Sequence, residues 1–238
     1  METDSKVDRR SFIRSTALLT SAAFVGISPF LSYAAEKKDE NKMGVEETSP
    51  VEDLMREHGG LNRILLIYEE SLRRIHAKLD MDPALLNKSA KLIHDFVEGY
   101  HEKLEEEHIF PRLEKSGKLL DLIKVLRAQH KAGRDVTTTI LGLSKTPAMK
   151  NATDREALSD ALRKFIRMYR PHEAREDTIV FPEFKTVITP KEYDVLGDKF
   201  EDREHELFGK EGFEGIVVQI AAIEKALGIY DLAQFTPR

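Results

Sequence analysis

His101-Glu102-Lys103-Leu104-Glu105-Glu106-Glu107-His108-Ile109-Phe110-Pro111 is matched further along the chain by His172-Glu173-Ala174-Arg175-Glu176-Asp177-Thr178-Ile179-Val180-Phe181-Pro182, and both read His-x3-Glu-x4-Phe-Pro. On a helix, residues four apart share a face, with Cβ atoms roughly 5–6 Å from one another. His101 with Glu105, and His172 with Glu176, can therefore each reach a common point. A weaker echo links two other segments, where His58 stands five before Arg63 and His130 four before Arg134. The pattern predicts two helical hairpins related by an approximate two-fold axis, with two equivalent half-sites in the middle of a bundle.

The sum is four histidines and two glutamates, His58, His101, Glu105, His130, His172 and Glu176, from four helices. Two carboxylates can bridge a pair of metal ions while imidazoles complete each end, and hard carboxylate with borderline imidazole suits iron. A lone histidine on a helix is more often a surface or hydrogen-bonded core residue than a ligand, and a run such as Glu105-Glu106-Glu107 is usually a solvated face. The duplicated motif, with one histidine on each partner helix, outweighs that reading. His94 and His108 lie one heptad either side of His101, about 10 Å along the axis, too far for the same ion. They are expected at the core edge or surface, and His76 and His205 at the surface. A ferritin-like site needs Glu-x-x-His on each of two helices. Here Glu98-x-x-His101 and Glu105-x-x-His108 lie on one segment.

Helix starts are legible. Ser49-Pro50-Val51-Glu52 is a capping box with proline at the first helical position, and Asp82-Pro83, Thr153-x-x-Glu156 and Thr189-Pro190-x-Glu192 repeat all or part of it. Between them lie apolar residues at helical spacing, such as Leu61, Ile64, Leu65 and Tyr68. The expectation is an all-α fold: helices over about 50–79, 83–109, 118–143 and 154–181 form an up-down four-helix bundle within 49–185. Two further helices, about 190–208 and 213–228, make a C-terminal extension over 186–238. Pro171 sits beside His172 inside the fourth helix, where it removes a backbone hydrogen bond and is expected to kink the axis. Tyr100 and Tyr169, one before His101 and three before His172, are candidates to hydrogen-bond a bound small molecule or to pack in the core.

Composition narrows the chemistry. The 238 residues are 41% hydrophobic, enough for a sizeable core, and the formal charge of −5 argues against a nucleic-acid partner. No cysteine is present, which removes disulfides, thiolate catalysis, iron–sulfur clusters and a lipoprotein anchor, and leaves metals to His, Glu and Asp. Any electrons must come from an outside redox partner. Asp8-Arg9-Arg10-Ser11-Phe12-Ile13-Arg14 resembles the twin-arginine export motif. It is followed by an uncharged stretch from Ser15 to Ala35 with a small-x-small site at Ser32-Tyr33-Ala34. Residues 1–34 are accordingly expected to be a twin-arginine signal peptide, with 35–48 a charged linker. The alternative is an uncleaved membrane anchor, against which Pro29 and several Ser, Thr and Gly residues count. Cleavage would leave 33 basic and 39 acidic residues, a net −6. The resemblance implies export to the periplasm, often of proteins that receive a cofactor before transport.

Leu54-Met55-Arg56-Glu57-His58, His101 to Pro111, Gln129-His130 and His172 to Pro182 together resemble the hemerythrin-like, or HHE cation-binding, domain family over residues of about 50–182. The four-His, two-Glu set is most similar to the di-iron proteins of iron–sulfur cluster repair. The chain departs from oxygen-carrying hemerythrins, which have His-x3-His on the third helix where this chain has Arg134, and the missing fifth histidine counts against reversible oxygen carriage. Those carriers use His-x4-Asp on the fourth helix. Asp177 satisfies that spacing and competes with Glu176 for one bridging role, for which the internal repeat favours Glu176. Two iron ions, with an oxo group as a further bridge, would take O2, NO or peroxide. The chain would bind or sense the ligand, store or donate iron, or reduce NO or peroxide at the same centre.

Overall fold

A computed structural model describes residues 49–146 and 150–237. Among the described residues there are no strands. The first helix, α1 (Pro50–Ala77), starts on the expected capping box. The Ser49 hydroxyl accepts from the Glu52 amide, the Glu52 carboxylate accepts from the Ser49 amide, and Pro50 supplies the first turn. The helix ends where Lys78 takes a left-handed conformation, φ 53°. Asp82 caps α2, a continuous helical run over residues 83–115. A third helix, α3 (Leu120–Leu143), follows a turn in which Gly117 and Leu119 both have positive φ. That turn moves its start two residues beyond the expected 118.

The fourth run, α4, spans residues 152–184. It begins earlier than the expected 154, because Asn151 accepts from the Thr153 and Asp154 amides and places Thr153 already inside the first turn. The capping box anticipated at Thr153 is therefore not the start. The α-helix continues through Pro171 to Arg175. The extension comprises α5 (Pro190–Phe208), opened by a Thr189/Glu192 capping box, and α6 (Gly212–Leu227), closed by left-handed Gly228.

Both α2 and α4 carry wide π turns where the repeated motif falls. In α2, residues Ile93–His101 and Glu105–Ile109 are π-helical, and in α4 residues Glu176–Val180 are. The Phe110 amide donates to the Glu105 carbonyl, and the Phe181 amide to the Glu176 carbonyl, each five residues back. The motif's proline explains the position. A proline has no N–H and its ring collides with the carbonyl four residues earlier, here Glu107 and Thr178. A wider turn accommodates that collision without ending the helix, so α2 and α4 outlast their expected ends at 109 and 181.

The core is built from residues such as Leu54, Leu65, Ile93, Ile123, Leu126, Leu158 and Phe165, all effectively inaccessible. α3 packs against α4, and α1 against α4 and the π segment of α2, as in a four-helix bundle. Helices α5 and α6 lie on α1, with α6 also touching the start of α2. The attachment is specific: Arg63 grips Glu224 through two hydrogen bonds, Arg56 pairs with Glu214 at 2.8 Å, and Arg74 donates to the Leu227 carbonyl. Gly60 lets the Phe213 ring come close, since a Cβ there would lie 3.1 Å from it.

Candidate metal centre

All six sequence-predicted side chains converge in the bundle interior and are 0–3% exposed. They form two triads, His58 with His101 and Glu105, and His130 with His172 and Glu176, each with donor atoms within 4.8 Å of one another. In the first triad the two Nε2 atoms are 3.0 Å apart, and in the second 3.2 Å. Each glutamate turns its two oxygens toward different triads. Oε1 of Glu105 lies 3.8 Å from His101 Nε2 and Oε2 lies 3.5 Å from His130 Nε2. Oε1 of Glu176 lies 3.1 Å from His172 Nε2 and Oε2 lies 3.5 Å from His58 Nε2.

The outer imidazole nitrogens are all engaged. Nδ1 of His58 donates to Asp177 at 2.7 Å and Nδ1 of His101 to Glu57 at 2.7 Å. Nδ1 of His130 faces Glu106 at 3.1 Å and Nδ1 of His172 faces Gln129 Oε1 at 2.9 Å. Since carboxylate and amide oxygens accept, these bonds place a proton on Nδ1 and turn each Nε2 inward, where it can bind a cation in place of a second proton. Paired lone pairs at 3.0 and 3.2 Å repel unless a cation or an extra proton lies between them. Two nitrogens bound at right angles to one ion, each about 2.1 Å away, stand about 3.0 Å apart. Both oxygens of Glu105 and of Glu176 are buried and accept no hydrogen bond of good geometry. Orphaned buried carboxylates are costly, and a bound cation is the ordinary remedy. The residues present therefore fit a pair of metal ions.

The buried groups shift one another's proton affinities strongly. Burial, with the adjacent Glu176 charge, pushes Glu105 well above the usual carboxylate range. Burial opposes charge on Glu176 too, but the His172 and His58 imidazoles outweigh it and hold that group low. Burial and the neighbouring His58 depress His101. For His58, burial is overcome by Asp177 and Glu176, which raise it to about 9. Two further buried glutamates flank the centre, each one residue after a motif histidine. Burial raises Glu102 to about 8, against the pull of Tyr169 and Arg134, and raises Glu173 to about 7.

Aromatic rings close the centre. Phe181 stacks on His58 at 5.7 Å between centroids and Phe110 on His130 at 5.6 Å, so each motif phenylalanine covers a histidine of the neighbouring helix. The Tyr169 ring lies 5.5 Å from His172, and its hydroxyl donates to Glu102 at 2.6 Å. That hydroxyl sits where α3 has Gly133, whose Cβ would be 2.3 Å away.

The other candidates separate clearly. Tyr100 points elsewhere: one residue before His101 is about 100° round the helix, and its hydroxyl donates to the Phe200 carbonyl of α5 at 3.2 Å. Arg134 bridges Glu102 and Glu106, both at 2.7 Å, and through Glu106 backs His130. Asp177 stands on the outer side of His58. His94 and His76 are exposed, and His108 is half-buried against Phe200. His205 is more enclosed than the expected surface position, with Nε2 buried, because α5 turns that face inward. Glu57, Glu106 and Gln129 were not singled out from sequence. Their signal is positional, since Glu57 and Gln129 each precede a histidine of the set and Glu106 follows a glutamate of it.

A four-helix bundle with two His/His/Glu triads at its centre defines a helical cation-binding protein. The Hemerythrin HHE cation binding domain description matches residues 49–184, and the chain belongs to that family. Relatives include proteins of Mycobacterium bovis and Mycobacterium tuberculosis that carry the name uncharacterized protein. Each is 50% identical over 194 residues, 81% of this chain and 75% of its own length. No solved structure matches.

Proposed function

We propose that this chain is an exported non-haem di-iron protein that binds or senses O2, NO or a peroxide at a carboxylate-bridged centre. The observation that carries the reading is the division of each buried glutamate's two oxygens between the two triads. That is the disposition of a bridging carboxylate, and two such bridges between paired imidazoles favour two ions over one. His, Glu and no cysteine suit iron. Two iron ions held this way would supply reversible one-electron chemistry and coordination positions for a small ligand.

The chain's own residues set the conditions. Glu57, Asp177, Glu106 and Gln129 fix the imidazole tautomers so that every Nε2 faces inward. Phe110 and Phe181 exclude water from two of the histidines. Tyr169 and Arg134 hold Glu102 beside the centre, where burial raises its carboxyl to about 8. Arg134 occupies the position four after His130 and is committed to Glu102 and Glu106, which leaves each triad two imidazoles. Iron storage, donation to damaged clusters and catalytic reduction of NO or peroxide use the same ligands. The near-complete burial of all six side chains favours a retained ion over a labile store.

Export rests on Arg9-Arg10 and the segment after them, which lie outside the described residues. Among the described residues no helix is long and apolar enough to cross a membrane.

The test is anaerobic purification followed by titration with O2, NO and peroxide while the visible spectrum is recorded. A stable stoichiometric adduct is expected. Rapid transfer of the iron to an apo acceptor would instead establish donation, and turnover with an electron donor would establish reduction.

A further inference from the structure

The two triads are alike in their inner residues and unlike in what stands behind them. The repeat puts equivalent partners in register. Glu57 behind His101 corresponds to Gln129 behind His172, and Asp177 behind His58 corresponds to Glu106 behind His130. In the first triad both imidazoles donate Nδ1–H to carboxylates, each at 2.7 Å. In the second triad one partner is a neutral amide oxygen at 2.9 Å. The other, Glu106 at 3.1 Å, shares its charge with Arg134 and Lys103, each at 2.7 Å.

A carboxylate on Nδ1–H draws the proton toward itself and makes Nε2 a stronger donor to a metal, and loss of such a partner typically costs about 10–100-fold in affinity. A neutral carbonyl oxygen does this less, because charge-assisted hydrogen bonds are roughly twice as strong as neutral ones. The guanidinium of Arg134 acts in the same direction. It drains charge from the carboxylate behind His130 and adds a positive charge beside the second triad. Arg134 pairs also with Glu102, which the Tyr169 hydroxyl engages on its other oxygen. At the corresponding place behind the first triad stands Asn62, four after His58, which carries no charge and acts on Glu173.

We propose that the two metal positions are inequivalent, the ion on His58, His101 and Glu105 being held more tightly and the ion on His130, His172 and Glu176 leaving first. This rests on the two-iron reading above. Gln129 is the residue that sets the difference, as a positioning residue acting through His172. One substitution should erase much of it, and the mirror substitution should extend the weakness to the other triad.

The experiment is release of iron from the fully loaded protein to a ferrous or ferric chelator in excess, followed optically, with total iron per chain measured beforehand. The native protein should release its iron in two phases of equal amplitude, with rates about 10-fold or more apart. Gln129→Glu should slow the fast phase toward the slow one, and Glu57→Gln should speed the slow phase toward the fast one. Circular dichroism of each loaded variant checks the fold, and Gln129→Glu decides alone should Glu57→Gln fail to fold. Loss of both irons in one phase from the native protein, or unchanged phases in Gln129→Glu, would overturn the inequivalence while two irons per chain leave the centre itself standing. Fewer than two irons in every preparation would overturn the two-iron reading and this inference with it.

Discussion

Glu176 and Asp177 are neighbours in sequence and stand on opposite sides of one imidazole. The Glu176 carboxylate meets Nε2 of His58 at 3.5 Å and Nε2 of His172 at 3.1 Å, while the Asp177 carboxylate meets Nδ1 of His58 at 2.7 Å. In the proposed di-iron centre, replacing Glu176 by alanine removes a bridging anion, so the variant should lose most of its iron. Asp177→Ala removes only the group behind His58 and should still load iron supplied in excess, with affinity reduced by about 10–100-fold. Iron analysis of both variants checks this. An Asp177→Ala protein emptied of iron beside a loaded Glu176→Ala protein would show that the bridge was misassigned. The six inner residues were legible because the chain states the motif twice. The outer partners were not, because the contacts cross between helices. Glu57 precedes His58 but bonds His101, and Gln129 precedes His130 but bonds His172.

Between elements, α3 meets α4 beside the centre where Gly133 faces the Tyr169 hydroxyl. A methyl group at Gly133 must displace that hydroxyl and break its 2.6 Å bond to buried Glu102. Gly133→Ala should therefore destabilise the protein by about 1–3 kcal/mol through overpacking. Adding Tyr169→Phe removes the clashing oxygen, so the double variant should recover part of the loss. Denaturant unfolding of the three proteins measures it, and strict additivity would deny the contact. The helix starts at Ser49, Asp82 and Thr189 could be read from their caps, because a capping side chain and its following proline are local. The π turns could not, since an i-to-i−5 bond leaves no compositional mark. Only the proline six residues after each motif glutamate hints at them. Thr153 misled because Asn151, two residues earlier, caps better by accepting two amides.

For the whole molecule, the extension was legible as two helices but not in its place. Its seat on α1 and α2 depends on pairs such as Arg63 with Glu224, whose members lie far apart in sequence. The amino-terminal reading makes its own prediction. Changing Arg9 and Arg10 together to lysine should retain the protein in the cytoplasm with residues 1–34 attached. Fractionation and mass determination check that, and continued export would show that another route carries it. The central claim is that two metal ions share the paired glutamates inside the bundle. X-ray absorption at the iron edge, on protein whose iron per chain has been counted, tests it most directly. The account predicts close to two irons per chain, nitrogen and oxygen neighbours only, and an iron scatterer within about 4 Å. A single ion per chain, or iron with no second metal within that distance, would contradict it.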